Sequence, residues 1–399
     1  MEDIIFGVSI SIISLYTCIV VANRAARIPY FSFLDERRNR AGSIDGLRGY
    51  LALLVFFHHF VVTYYWKSLQ VWERPPEDLY QNFGKVGVAI FFMITGFLFF
   101  TKINNSRGSL NWLALYSSRF FRIVPLYLAA FFIVLIFVFE ATGYELHTSI
   151  GQLFKDLTKW GLFIGGFIND FGDTKRIIAG VDWTLKYEWL FYLLLPIIAL
   201  TVRYTGNVGL VVLALLALAG YLNPVTIPYF TSKYLILFAA GGTISILIRQ
   251  IPQTNNRERL SSVTLLILIV AALIYPNTFD LVHTVIMSVL FYSVARGNSL
   301  FGMLTSRASI LLGEISYSIY LLHGVVLYVL FTKTTVVDVS RFSLSEFFYF
   351  MPLVSVLVVI ISMVTYLTIE KPCMEFGKDY FAALSKRGAD KKGSNSYGK

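Results

Sequence analysis

Apolar residues in this chain gather in long blocks, separated by short polar or charged stretches. A bilayer core about 30 Å thick takes about 20 apolar residues as a helix, and fewer where neighbouring helices shield the ends. Eleven blocks meet that requirement: residues 4–22, 46–65, 86–101, 120–139, 183–202, 207–222, 234–248, 262–276, 280–296, 309–331 and 347–369. The pattern predicts an all-α, polytopic membrane protein of about eleven transmembrane helices. The first block opens on Met1-Glu2-Asp3, without the positive segment of a signal peptide, and its apolar run is long. It reads as a retained anchor. The segment 140–182, with mixed charge and Gly165-Gly166, reads as a long loop that is partly re-entrant or covers a site. No internal repeat and no Walker, Rossmann or nucleophile-elbow motif is found.

Composition supports this reading. Apolar residues make up 56% of the chain and charged residues 15%, and mean hydropathy is +0.66, which excludes a disordered chain and an ordinary soluble enzyme. The net charge of +10 belongs to loops beside an anionic leaflet rather than to a nucleic-acid partner. If the N-terminus lies outside, segments 24–45, 102–122, 203, 249–259, 296–307 and 371–399 fall inside and carry 22 Lys and Arg, against 10 on the other side. The positive-inside rule therefore predicts an N-out, C-in topology. Two cysteines, Cys18 and Cys373, offer neither a disulfide framework nor a cysteine metal site. The basic, Gly- and Ser-containing stretch from Lys386 to Lys399 reads as a disordered tail.

Charges inside a membrane are costly and face the bundle interior. The second block opens Ser43-Ile44-Asp45-Gly46-Leu47-Arg48-Gly49 and holds Phe56-Phe57-His58-His59. His59 lies eleven positions after Arg48, which returns a helix to the same face roughly 16 Å further along. Arg48 then sits near the inner edge and His59 near mid-membrane. A snorkelling arginine explains Arg48 equally well, whereas two adjacent intramembrane histidines favour a functional role. Depth arithmetic puts Glu188 about five residues into its helix and His323 about fourteen into its own. His59, Glu188 and His323 thus fall within about two helical turns of one level. A His–carboxylate pair is a general-base arrangement, although Glu188 also suits a structural partner for Lys186 or Tyr187, and His323 a polar contact in helix packing. Arg119 and Arg122 share a helix face and with Arg48 could form a cationic pocket for a phosphorylated donor; ordinary enrichment of inner loops in arginine also explains them. Glu314 would be the counter-charge or hydrogen-bonding partner of that pocket.

Taken together, these segments resemble the acyltransferase-3 family of integral membrane acyltransferases. The similarity rests on several stretches: Asp45-Gly46-Leu47-Arg48-Gly49 with His59, where the arginine–ten residues–histidine spacing selects His59 and leaves His58 one residue short; Phe91-Phe92-Met93-Ile94-Thr95-Gly96-Phe97-Leu98; Arg119 with Arg122; Trp183-Thr184-Leu185-Lys186-Tyr187-Glu188 followed by Tyr192 and Pro196; Gly313-Glu314-Ile315-Ser316-Tyr317-Ser318-Ile319-Tyr320-Leu321-Leu322-His323; and Glu370-Lys371-Pro372, with Lys where Arg is common. The match spans residues 43–373 in order. It implies a ten-helix core preceded here by one extra helix. Residues 1–42 would then be an anchor and basic linker, 43–373 the membrane acyltransferase domain, and 374–399 a basic tail.

The resemblance implies transfer of an acyl group, most often acetyl, from cytoplasmic acyl-CoA to a sugar hydroxyl of an envelope or secreted glycan, such as lipopolysaccharide O-antigen or exopolysaccharide. This would take place in the inner membrane of a bacterium. Acyl-CoA is then a co-substrate, with no resident cofactor and no metal. Arg48, Arg119 and Arg122 bind the donor. His59 is the general base or, alternatively, a transient acyl carrier. Glu188 orients a base or contacts the sugar, and His58, Asp45, Glu314, Tyr317 and His323 line or flank the site. Trp66, Trp72 and Trp183 suit interface anchoring, with sugar stacking as a second use. No appended periplasmic hydrolase-like domain is seen, so the membrane domain is expected to finish the transfer alone or to hand over to a separate periplasmic or glycan-assembly partner. A glycolipid or polysaccharide transporter or flippase is the main rival, but it would be expected to show repeat symmetry and broken helices. A glycan polymerase and a sensory membrane protein are weaker ones.

Overall fold

The computed structural model describes residues 2–38, 42–106, 109–250, 258–334 and 337–381. It is built almost wholly of helices: α1 (Glu2–Ala25), α2 (Phe33–Arg38), α3 (Ser43–Leu69), α4 (Asp78–Asn105), α5 (Trp112–Ala141), α6 (Ile150–Gly161), α7 (Asp182–Thr205), α8 (Asn207–Leu222), α9 (Leu235–Gln250), α10 (Glu258–Ile274), α11 (Leu281–Ala295), α12 (Arg307–Glu314), α13 (Ser316–Tyr328), α14 (Leu344–Phe348) and α15 (Met351–Thr365). A two-residue hairpin, Thr226–Ile227 with Phe230–Thr231, interrupts them. Among the described residues, seven helical stretches are long and apolar enough to cross a membrane. The bent pair α12–α13 and three shorter apolar helices (Val208–Leu222, Ser261–Ile274 and Leu281–Ala295) correspond to the remaining predicted blocks. The chain is thus an all-α, multi-pass membrane protein. Its outer shell agrees: Leu128, Phe132, Leu193, Ile197, Leu215, Ile267 and Leu353 are all exposed, as lipid-facing side chains should be. Lys386–Lys399 lies outside the described residues; residues 374–381, placed in the predicted tail, continue the last helix.

α3 is the most enclosed of the seven candidate spans. Glycine lets its first turns dock: a Cβ on Gly46 would stand 1.8 Å from the Leu304 carbonyl oxygen, and one on Gly313 of α12 1.9 Å from that of Asp45. The two backbones touch, the small-residue packing that membrane helices use in place of a hydrophobic drive. α1 runs alongside α15, Ser11 meeting Met351 and Cys18 meeting Ser355. Its beginning lies beside Tyr80 and Phe348.

Between α12 and α13 the chain bends by 65°. Ser316 Oγ donates to the Gly313 carbonyl at 2.7 Å, and such side-chain capture of a helix carbonyl is a recognised cause of kinks. Downstream of α15, a π-turn over Tyr366–Glu370 brings Tyr366 to donate to Glu314 Oε2 at 3.0 Å and seats Glu370 on Ser318 Oγ. The loop between α5 and α7 folds over the bundle rather than away from it. Ile177 and Ile178 are buried, the Ile178 backbone lies on Gly324 of α13, and the Arg176 guanidinium stands over the rings of Trp66 and Trp72 at 5.1 and 5.8 Å.

Candidate active site: two chambers divided by Tyr320

Two cavities lie along α3, one toward each end. The first is enclosed by α3, α4, α5, α7 and α13 and has an empty volume of about 840 Å³, including its open mouth. Its polar lining is Arg48, Arg119, Arg122, Glu188, Tyr192, Tyr317 and Tyr320, with Ser316, Thr95 and Thr184. Helix periodicity accounts for the convergence. Thr184, Leu185, Glu188 and Tyr192 mark one stripe of α7, and Val88, Phe91, Phe92, Thr95 and Phe99 mark one stripe of α4. The three arginines expected to share a pocket do share one. Arg119 lies 5.3 Å over the Phe99 ring. Tyr317 donates to the Ile123 carbonyl at 2.8 Å, and Tyr192 donates to Glu188 Oε1. Asp45 and Glu314 do not line the cavity but are the carboxylates whose fields reach Arg48.

The second cavity, about 1070 Å³ on the same measure, is lined by His58, His59, Arg74, Lys85, Trp183, Lys233, Tyr234, Thr278 and Phe279, with Val55 and Val181 from α3 and the covering loop. Val88 and Tyr320 line both cavities and form the wall between them. Tyr320 Oη is fixed 2.7 Å from Thr184 Oγ1.

His59 does not pair with a carboxylate. Its Nδ1 stands 3.0 Å from the Val55 carbonyl and 3.0 Å from His323 Nε2, while Glu188 faces the arginine chamber. The expected His59–Glu188 arrangement is therefore replaced by a His59–His323 pair. Depth arithmetic had put the three at one level, but α7 turns Glu188 toward α4 and α5. Hydrogen-bond chemistry assigns the tautomers. A carbonyl only accepts, so His323 Nδ1, 3.0 Å from the Ile319 carbonyl, carries a proton, and His323 Nε2 accepts. His59 Nδ1 faces two acceptors and must donate, so its lone pair sits on Nε2. His323 itself is fully buried and lines neither chamber; it acts through His59. His58 Nδ1 donates in the same way to the Tyr80 carbonyl at 2.8 Å. A glycine at 84 makes room for the His58 ring, whose Cδ2 would lie 2.7 Å from a Cβ there.

A family model described as an acyltransferase domain matches residues 42–367. The chain belongs to the acyltransferase-3 family. It is a multi-pass membrane acyltransferase, and most of the stretches that carried the resemblance supply the arginine chamber, His59 and the dividing Tyr320. No curated protein and no solved structure matches the chain. Several residues of the acyltransferase's chambers escaped the sequence reading. Tyr320 and Tyr192 lay within quoted motifs without a role. Arg74, Lys85 and Lys233 entered only the count of cations on the other side. Trp183, expected at the interface, lines the histidine chamber.

Proposed function

We propose that the acyltransferase takes an acyl group, acetyl in the simplest case, from acyl-CoA held in the arginine chamber. It would pass this group to a sugar hydroxyl of an envelope or secreted glycan held in the histidine chamber. The observation that carries the proposal is the common wall. A three-arginine pocket and a histidine with a fixed tautomer occupy opposite sides of Tyr320 and Val88, so a donor's phosphates and an acceptor's hydroxyl would be held apart while a slender thioester arm crosses between. The arginines supply charge-assisted contacts to phosphate. His59 Nε2 removes the hydroxyl proton as that oxygen attacks the thioester carbonyl. The tetrahedral intermediate then collapses, the C–S bond breaks and the thiolate leaves. The proton returns from His59 to the sulfur, directly or through water. As His59 becomes an imidazolium, His323 Nε2 and the Val55 carbonyl accept its Nδ1 proton's charge-assisted bond. Glu188, in the arginine chamber, fixes Tyr192 rather than the base.

With the N-terminus outside, the arginine chamber opens to the cytoplasm, where acyl-CoA is available, and the histidine chamber opens to the far side. The test is incubation of membranes carrying the chain with labelled acetyl-CoA and extracted, alkali-deacylated envelope glycan. Label should enter the glycan and should be lost with His59→Ala. Labelling that persists in His59→Ala would remove the base assignment. Movement of unlabelled glycan across the membrane without transfer would favour the flippase.

A further inference from the structure

The histidine chamber carries three cations from three separate elements: Arg74 from the α3–α4 loop, Lys85 from α4 and Lys233 from the turn before α9. Among the described residues, no carboxylate lines this cavity, and none of the three forms an ion pair. An acidic side chain, Glu73, stands in the adjoining cleft with Trp72, Arg74, His58 and His59. Lys85 carries the most weight. It lies seven residues into α4, about 10 Å along the helix, at the border of the apolar block 86–101. It is held by Gln81 Oε1 at 3.1 Å and by Thr278 Oγ1. Both are neutral; the field of Asp78, at the start of the same helix, reaches the ammonium without an ion pair between them. Lys233 and Lys85 also stand near aromatic faces, Tyr221 at 5.5 Å and Phe279 at 5.9 Å, which favour a cation without supplying a full counter-charge. On the same walls Trp183 and Tyr234 lie with ring centroids 5.1 Å apart, an apolar surface for the face of a sugar ring.

A neutral acceptor would leave three cations, with no carboxylate lining their cavity, around a base that must itself become positive. An acceptor with its own negative charge cancels that repulsion and is drawn into the chamber by the same field. Resting on the acyl-transfer reading above, we infer that the acceptor is an anionic glycan: the sugar acylated at His59, or its immediate neighbour, bears a carboxylate or a phosphate that Lys85, Lys233 and Arg74 bind. Trp183 and Tyr234 take the ring, the cations take the anion, and the two together fix which hydroxyl meets His59 Nε2.

The test uses membranes carrying the full chain, labelled acetyl-CoA and the deacylated glycan of the source cell in three forms: untreated, carboxyl-reduced with carbodiimide and borohydride, and dephosphorylated with cold aqueous hydrofluoric acid. A fall in labelling of about tenfold or more with one treated form supports the inference and identifies the anion as carboxylate or phosphate. Undiminished labelling of both treated forms overturns it and leaves acyl transfer standing. No label on the untreated glycan overturns acyl transfer and this inference with it. A paired measurement reads the protein side. Lys85→Gln combined with Lys233→Gln should raise the glycan concentration for half-maximal labelling by about tenfold or more, with the acetyl-CoA dependence unmoved. Lys85→Arg should retain most of the affinity. A shift in the acetyl-CoA dependence instead would assign these cations to the donor and overturn the inference.

Discussion

Replacing His323 with Phe removes the acceptor that His59 Nδ1 addresses at 3.0 Å and keeps an aromatic ring at a position with no solvent exposure. In the resting protein the bond joins two neutral imidazoles and is worth about 0.5–1.5 kcal/mol. Once His59 holds the hydroxyl proton the same bond has a charged donor and is worth about 1.5–3 kcal/mol. The difference, about 1–1.5 kcal/mol, acts only as the charge develops, so it falls on kcat, roughly tenfold. Releasing His59 from its fixed tautomer adds to the loss, because a ring that protonates Nε2 offers no base to the chamber. The remaining Val55 carbonyl limits the damage, and a total loss of about ten- to hundredfold is expected. Initial rates of labelled acetyl transfer in membrane vesicles, normalised to immunoblotted protein, would measure it. His323→Gln, which keeps a carbonyl acceptor, should recover part of the rate. A parent-like kcat in His323→Phe, or a loss confined to the KM for acyl-CoA, would refute the relay and return His323 to helix packing.

Three further outcomes are expected. Arg48→Ala, Arg119→Ala and Arg122→Ala should each weaken acyl-CoA binding about ten- to hundredfold. Lys should restore only part of this because the bidentate fork is lost; parent-like binding in all three would leave the arginines as topology signals. Gly313→Val should cost about 1–3 kcal/mol, since its Cβ would meet the Asp45 carbonyl at 1.9 Å and backbone cannot swing aside; an unchanged Tm in detergent would count against the α3–α12 contact. Reporter fusions should place the N-terminus outside and residue 381 inside, and both ends on one side would refute the reading of residues 4–22 as a span.

The path from sequence to site has a clear break. Length and apolarity alone determined the helices, because lipid leaves the backbone no partners but its own and any sufficiently long apolar block must close its hydrogen bonds internally. The arginine chamber was also legible. Arg119 and Arg122 are three apart on one helix, and Arg48 lies near the inner edge of another. Depth along the membrane normal was equally readable, and it correctly put His59 and His323 at one level. What depth cannot give is rotation about each helix axis and the identity of the neighbour. Those depend on how α3, α7 and α13 cross, on the Ser316 bend and on glycine contacts between helices far apart in sequence. Tertiary structure therefore turned Glu188 into the arginine chamber, brought His323 to His59 and made Tyr320 the wall. It likewise drew Arg74, Lys85 and Lys233 from unrelated segments into one cavity. Each alone reads as a solvated cation, and only their shared enclosure without a lining carboxylate gives them a joint electrostatic meaning.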